Sequence, residues 1–150
     1  MTTAAPFLTE ERVRWADVDL VGIMRFSACT RLIETAEQEC MRAAGFAYST
    51  LFDAPTFWMP RRHLSIEYFA PARIDEALSL VTYVSRVGDT SWTLNVDIRS
   101  TTTWTLIASA TMTVVCVTAE RFEKTSIPAD FRAALAPFTV DRDVALAWRP

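Results

Sequence analysis

Cysteine, glycine and histidine are scarce in this chain of 150 residues, and each scarcity removes a class of chemistry. The three cysteines, Cys29, Cys40 and Cys116, cannot all pair, and their spacing fits no disulfide or zinc framework. That predicts reduced thiols, a cytoplasmic setting and no metal site. The one histidine, His63, leaves no internal histidine dyad and reads as a surface or strand-edge residue. Basic runs are also missing: the formal net charge is -3 and the arginines are scattered, so neither a nucleic-acid tract nor an anionic-membrane patch is expected. No apolar run reaches the ~18 residues of a membrane span, and MTTAAPFLTEERVRW has no basic region followed by an apolar core, so no membrane attachment is expected. What is present is apolar mass. A hydrophobic content of 51% over residues 1–150 predicts one well-cored domain.

With only three glycines, Gly22, Gly45 and Gly88, punctuation is easy to place. Val13 and Trp15 alternate with Arg12 and Arg14, which predicts a first strand over residues 8–17. From Ser27 the period changes. Cys29, Leu32, Ile33, Ala36, Cys40 and Ala43 recur at three- and four-residue steps, so a helix is expected over 27–44, with Ser27 as N-cap and Gly45 just past its end. AYSTLFDAPT reads as a loop or helical turn. The remainder is strand-like: Leu64, Ile66 and Tyr68 alternate up to Pro71. ALSLVTYVSRV and the alternation Trp92, Leu94, Val96, Ile98 flank a turn at Gly88-Asp89. A long strand places Trp104, Leu106, Ala108, Ala110, Met112, Val114 and Cys116 on one face, leaving a small, polar face for solvent or another subunit. A short helix is expected from Pro128, and the tail through Trp148 carries no readable pattern. One strand, one long helix and several antiparallel strands make an α+β layout, a sheet wrapped around a single helix.

The pieces WADVDLVGI, ETAEQECMRAAG, IEYFAPARIDEAL and SIPADF, in this order and at these separations, resemble the 4-hydroxybenzoyl-CoA thioesterase branch of the hotdog-fold acyl-CoA thioesterases. The likeness covers about residues 10–133 and rests most on the Asp-x-x-Gly step at Asp19 to Gly22 and on Tyr68 to Glu76. It implies thioester hydrolysis without a cofactor, by a homodimer or dimer of dimers with sites at subunit boundaries. It places the catalytic carboxylate on Asp19, the turn glycine on Gly22, and the oxyanion donor on the backbone N–H of Phe26.

Elementary chemistry agrees with these roles. An N–H at a helix N-terminus stabilises the oxyanion of a thioester under attack more than it stabilises the ground state. A carboxylate near the same positive end is available to attack carbon or to deprotonate water. An acid at a helix N-terminus is also stabilising without any catalysis, and Asp17 reads as that kind of structural acid. Glu34 and Glu37 are alternative general bases, with a solvated face or an interface ion pair as the plainer reading. The sequence departs from the family after Gly22, where Ile-Met-Arg-Phe-Ser-Ala-Cys lacks the usual polar side chains. Arg25 is therefore expected to pair with Asp19 or Asp17, and Phe26, Cys29 and Leu32 to line an apolar acyl pocket. Arg61, Arg62, Arg73, Arg86 and Lys124 are candidates for the nucleotide phosphates.

An acyl-CoA thioesterase is the leading reading. Alternatives are a thioesterase acting on an acyl carrier protein and a hotdog protein that binds thioesters without turnover. A dehydratase of this fold is disfavoured by the absence of His-x-x-x-Gly-x-x-x-x-Pro-Gly. Because one helix cannot cover both faces of so apolar a sheet, the remaining face or edge is expected to need a partner.

Overall fold

The chain's structure is a computed structural model describing residues 3–53 and 55–150. Its strands are β1 (Phe7–Arg12), β2 (Phe57–Trp58), β3 (Arg61–Tyr68), β4 (Ala77–Val87), β5 (Ser91–Ser100), β6 (Leu106–Val115) and β7 (Val117–Thr118). Its helices are α1 (Ala28–Ala43), α2 (Tyr48–Asp53), α3 (Ala129–Leu135) and α4 (Arg142–Ala147), with 3₁₀ turns at Trp15–Asp17 and Ala136–Phe138. Five strands form one antiparallel sheet in the order β1-β4-β5-β6-β3, and β2 pairs with β7. The sheet wraps α1, which is the hotdog arrangement.

Pleating explains the core. The rows Leu80–Ile98–Ala108 and Val84–Leu94–Met112 run across β4, β5 and β6 and point to α1. They meet Cys29, Leu32, Ile33, Ala36 and Cys40, the helical face that the three- and four-residue spacing predicts. The end of α1 follows from Gly45, whose φ of +86° lets its N–H reach Arg42 C=O (3.1 Å) and Phe46 N–H reach Met41 C=O (2.9 Å). Ser27 stands at the N-cap position, but its side chain makes no capping bond and its backbone is already helical.

Two expectations about strands are corrected. The first strand stops at Arg12 rather than residue 17, because Val13 N–H turns to Glu76 C=O (3.0 Å) and residues 15–17 coil into the 3₁₀ turn. Trp104 leaves the β6 face: its φ of +59° puts it in the turn after β5, where Arg99 and Arg149 each lie 5.6 Å from its ring.

The unreadable tail proves to be the cover for the sheet's other face. That face carries Tyr83, Asn95, Asp97 and Ser109, all buried. Thr139 bridges Val84, Val140 N–H reaches Val84 C=O (3.0 Å), and Arg142 on α4 donates to Ser109 Oγ (3.2 Å). Ser109 in turn donates to Asp97 Oδ1 at 2.6 Å. The chain's own tail thus packs on this face, and β1 and β3 stand at the two edges of the sheet.

Replacing Gly45 with Ala tests the helix end. Its added Cβ meets no atom within 4 Å, so the cost is conformational alone. A loss of about 1 kcal/mol is expected from the left-handed φ, read as a lower urea midpoint with an unchanged slope.

Candidate active site

The segment before α1 is a miniature hairpin, closed at its base by Arg25 N–H to Asp17 C=O (2.8 Å) and by the Val18–Met24 bridge. At its tip Gly22 N–H reaches Asp19 C=O (3.0 Å) and Asp19 N–H reaches Ile23 C=O (3.3 Å), with Gly22 at φ +79°. The Asp19 side chain accepts Val21 N–H through Oδ1 at 2.9 Å. Asp-x-x-Gly is thus the grammar of a tight turn, an acid bonding the backbone two residues on and a glycine taking the left-handed position. The glycine is required by φ, not by crowding, since a Cβ there meets nothing within 4 Å. Among the described residues Asp19 Oδ2 has no hydrogen-bond partner, and the residue is exposed.

Arg25, expected to pair with one of the acids, is exposed and pairs with neither among the described residues. Arg31, one turn into α1, takes Asp17 instead, Nε to Oδ1 at 3.0 Å and Nη2 to Oδ2 at 2.5 Å. The same carboxylate accepts Arg14 N–H at 2.8 Å. Burial acts to raise the Asp17 pKa, but these hydrogen bonds and the charges of Arg31 and Arg14 outweigh it, leaving the pKa below its usual value.

Phe26 sits two residues ahead of α1 with its ring 76% exposed. Its carbonyl accepts the Tyr68 hydroxyl (3.0 Å) and Cys29 N–H (3.4 Å), while its own N–H has no acceptor among the described residues. Tyr68, legible in the sequence only as part of the family segment, pins the peptide beside the proposed oxyanion donor. Around this peptide Leu20 and Val21 are also exposed, so the tip of the hairpin is apolar.

Cys29 and Leu32 do not reach a cavity: both are fully buried in the core beneath α1. Burial pushes the Cys29 thiol up to about 11, a shift that Tyr68 only partly opposes, so the thiol stays protonated at neutral pH. The large cavity, about 780 Å³, opens on the next face of α1, between that helix, α2 and β3. Its apolar wall is Ile33, Phe52, Leu64 and Met112. Thr30, Glu34, Glu37, Gln38, Tyr48 and Arg61 bring polar groups to the rest of its lining. Arg61 is not a free phosphate ligand, because Nη2 lies 2.5 Å from Oε2 of the buried Glu37 and 3.1 Å from the Tyr48 hydroxyl.

Of the other candidates, Arg73 lies closest to the turn through its bridge to Ile23, with its side chain exposed. Arg62, His63, Arg86 and Lys124 are exposed elsewhere, His63 on the β3 edge strand and Lys124 beside Val117. Among the described residues no three His, Cys, Asp or Glu side chains cluster as a metal site, and no helix is long and apolar enough to cross a membrane.

Residues 13–135 match the sequence model of the thioesterase-like superfamily. The acyl-CoA thioester hydrolase YbgC of Escherichia coli O6:H1 is 27% identical over 117 residues, which is 78% of this chain and 86% of that protein. A 1,4-dihydroxy-2-naphthoyl-CoA hydrolase of Synechocystis is 22% identical, across 86% of this chain and 94% of its own. The crystal structure of a 1,4-dihydroxy-2-naphthoyl-CoA thioesterase from Synechocystis superposes with a TM-score of 0.82 at 21% identity, covering 87% of this chain and 96% of that one.

Asp17 gives a test of how the hairpin is held. Since folding lowers its pKa, its stabilisation is present above the unfolded value of ~3.9 and is lost as pH falls through the folded value. Asp17→Asn is expected to cost about 2 kcal/mol at pH 7, because it takes from the partly buried Arg31 guanidinium its two-point carboxylate partner and leaves only the longer contact to Glu11 (3.6 Å). Urea midpoints should separate the variant from the parent at pH 7 and converge as pH falls through the lowered folded value; a gap that stays constant as acid is added would contradict the ionic clamp.

Proposed function

This chain belongs to the thioesterase-like superfamily, and on that premise we propose that it hydrolyses an acyl-CoA thioester to a free acid and a thiol at the hairpin before α1. The observation that carries the proposal is the half-used carboxylate of Asp19. One oxygen is fixed by Val21 N–H and the other has no partner among the described residues, in an exposed residue of the turn ahead of α1, where the Phe26 N–H two residues before the helix is also unpaired. The activities of the relatives support the carrier, and the turn supports the residues.

The thioester carbonyl oxygen accepts the Phe26 N–H, where α1's dipole reinforces charge as it develops. Asp19 Oδ2 then acts in one of two ways. As a base it removes a proton from water; the hydroxide adds to the carbonyl carbon, the C–S bond breaks, and the protonated Asp19 returns its proton to the leaving thiolate. As a nucleophile it forms an anhydride with loss of thiolate, and water opens the anhydride to regenerate the carboxylate. Neither route requires a cofactor. Arg73 beside the turn and the exposed Arg25 are placed to meet coenzyme phosphate, with Lys124 more peripheral.

The active form is a homodimer, alone or paired into a tetramer. β3 is one of the two outer strands of the sheet, and its Leu64 and Tyr68 and the adjoining Phe69 are exposed. A second copy joined along β3 would extend the sheet and cover these groups. Three unpaired, buried thiols suit a reducing cytoplasm.

Thiol release from short, medium, long and aromatic acyl-CoAs, and from an acyl carrier protein, is the direct assay. Asp19→Asn should lose ~10²-fold or more in kcat while keeping the turn, since an amide oxygen still accepts Val21 N–H. Asp17→Asn, assayed well below its melting temperature, should lose much less. Equal losses in the two, or an Asp19→Asn protein at full rate, would remove the assignment. Light scattering in dilute buffer should report at least a dimer, and a fully active monomer would contradict the shared edge.

A further inference from the structure

Glu37 is only 2% exposed, yet it lies in the middle of α1 on the wall of the large cavity. Its Oε2 holds Arg61, and its Oε1 has no hydrogen-bond partner. A buried carboxylate oxygen without a partner is a standing cost, and the group able to relieve it must bring a donor into the cavity. The Tyr48 hydroxyl accepts an Arg61 N–H (3.1 Å) but makes no hydrogen bond to Oε1; burial, then the negative charge of Glu37, raises its pKa, so it stays protonated.

Charge narrows the class of ligand. Glu34, Glu37 and Arg61 leave this cavity with a formal charge of -1, and the one cation is already engaged. A second carboxylate on the acyl chain would face repulsion with no free guanidinium to receive it, while an unsubstituted methyl end would leave Oε1 unsatisfied. A neutral hydroxyl fits both constraints. Ile33, Phe52 and Leu64 supply the apolar wall along which the intervening methylenes would lie.

Spacing sets where that hydroxyl belongs. Thr30, at one end of the cavity, is one helical turn beyond Phe26, and Glu37 is eleven residues beyond it. At about 1.5 Å per residue that is roughly 16 Å along α1. An extended chain advances about 1.2 Å per bond, as the polypeptide backbone does, so the hydroxyl falls about a dozen bonds from the thioester carbonyl.

Building on the hydrolase reading, we propose that the Glu37–Arg61 pair is a distal specificity site that selects acyl chains bearing a hydroxyl near their far end. Glu37 Oε1 accepts the hydroxyl proton, and Arg61 holds the carboxylate in place.

Calorimetry with non-hydrolysable thioethers of coenzyme A tests this without turnover, using chains that end as 12-hydroxydodecyl, as dodecyl and as the corresponding terminal carboxylate. The parent should bind the hydroxyl chain ~10-fold more tightly than the plain one, the scale of a hydrogen bond to a charged group, and the carboxylate chain most weakly. Glu37→Gln should shrink the hydroxyl advantage. The double variant Glu37→Leu with Arg61→Met removes both partners, a replacement that buried ion pairs tolerate, and should abolish or reverse it. Circular dichroism checks the fold of both; if the double variant does not fold, Glu37→Gln decides.

Equal binding of hydroxyl and plain chains by the parent, no binding of either, tightest binding of the carboxylate chain, or an unchanged advantage in the folded variants would each overturn the proposal. Thiol release from dodecanoyl-CoA and 12-hydroxydodecanoyl-CoA on the same preparations keeps the two readings apart. Hydrolysis without a hydroxyl advantage overturns the distal site alone, and a hydroxyl advantage without hydrolysis overturns the hydrolase reading alone.

Discussion

A buried carboxylate, that of Asp17, joins the three segments on which the site depends. Its oxygens hold Arg31 on α1 and the Arg14 N–H after β1, while its own carbonyl closes the hairpin through Arg25 N–H. The helix, the first strand and the Asp19 turn therefore have one common fixed point. Asp19, two residues on, inherits its position from it without sharing its environment: one acid is enclosed and ion-paired, the other exposed with an oxygen to spare. Two identical side chains are assigned different work by what surrounds them.

The same division of labour holds for the sheet. The face toward α1 is an ordinary apolar core, whereas the opposite face is a buried polar layer in which Arg142 donates to Ser109 and Ser109 to one oxygen of Asp97, the other Asp97 oxygen having no partner among the described residues. Such a layer tolerates little sliding, because each hydrogen bond fixes direction as well as proximity. The C-terminal segment is thereby anchored in register over the sheet, and an assembly that used this face would first have to displace it.

The sheet and its helix were largely legible because they rest on periodicity. The apolar steps from Cys29 to Cys40 and the alternation from Trp92 to Ile98 each name the face that is buried. What escaped depends on meetings across long stretches of chain. Arg31 rather than Arg25 meets Asp17, a choice fixed by the direction in which α1 leaves the hairpin. Glu37 looks like one of several helix acids until Arg61, on a strand 24 residues later, comes to lie over it. Trp104 misled and the tail stayed unreadable for a related reason: an aromatic in a turn and a short helix carry too few residues for a pattern to outweigh chance. The Asp-x-x-Gly step was legible as a family feature, yet its local cause, a tight turn with a side chain bonded two residues ahead, became visible only with the backbone angles.

That turn has a chemical corollary. The two oxygens of Asp19 are not interchangeable, because exchanging them means rotating the carboxylate out of its bond to Val21 N–H. A freely spinning carboxylate averages its lone pairs over every direction, whereas this one offers a single oxygen along a set line. The turn is thus handed before any ligand arrives: it offers one oxygen edge along one line rather than two that exchange freely.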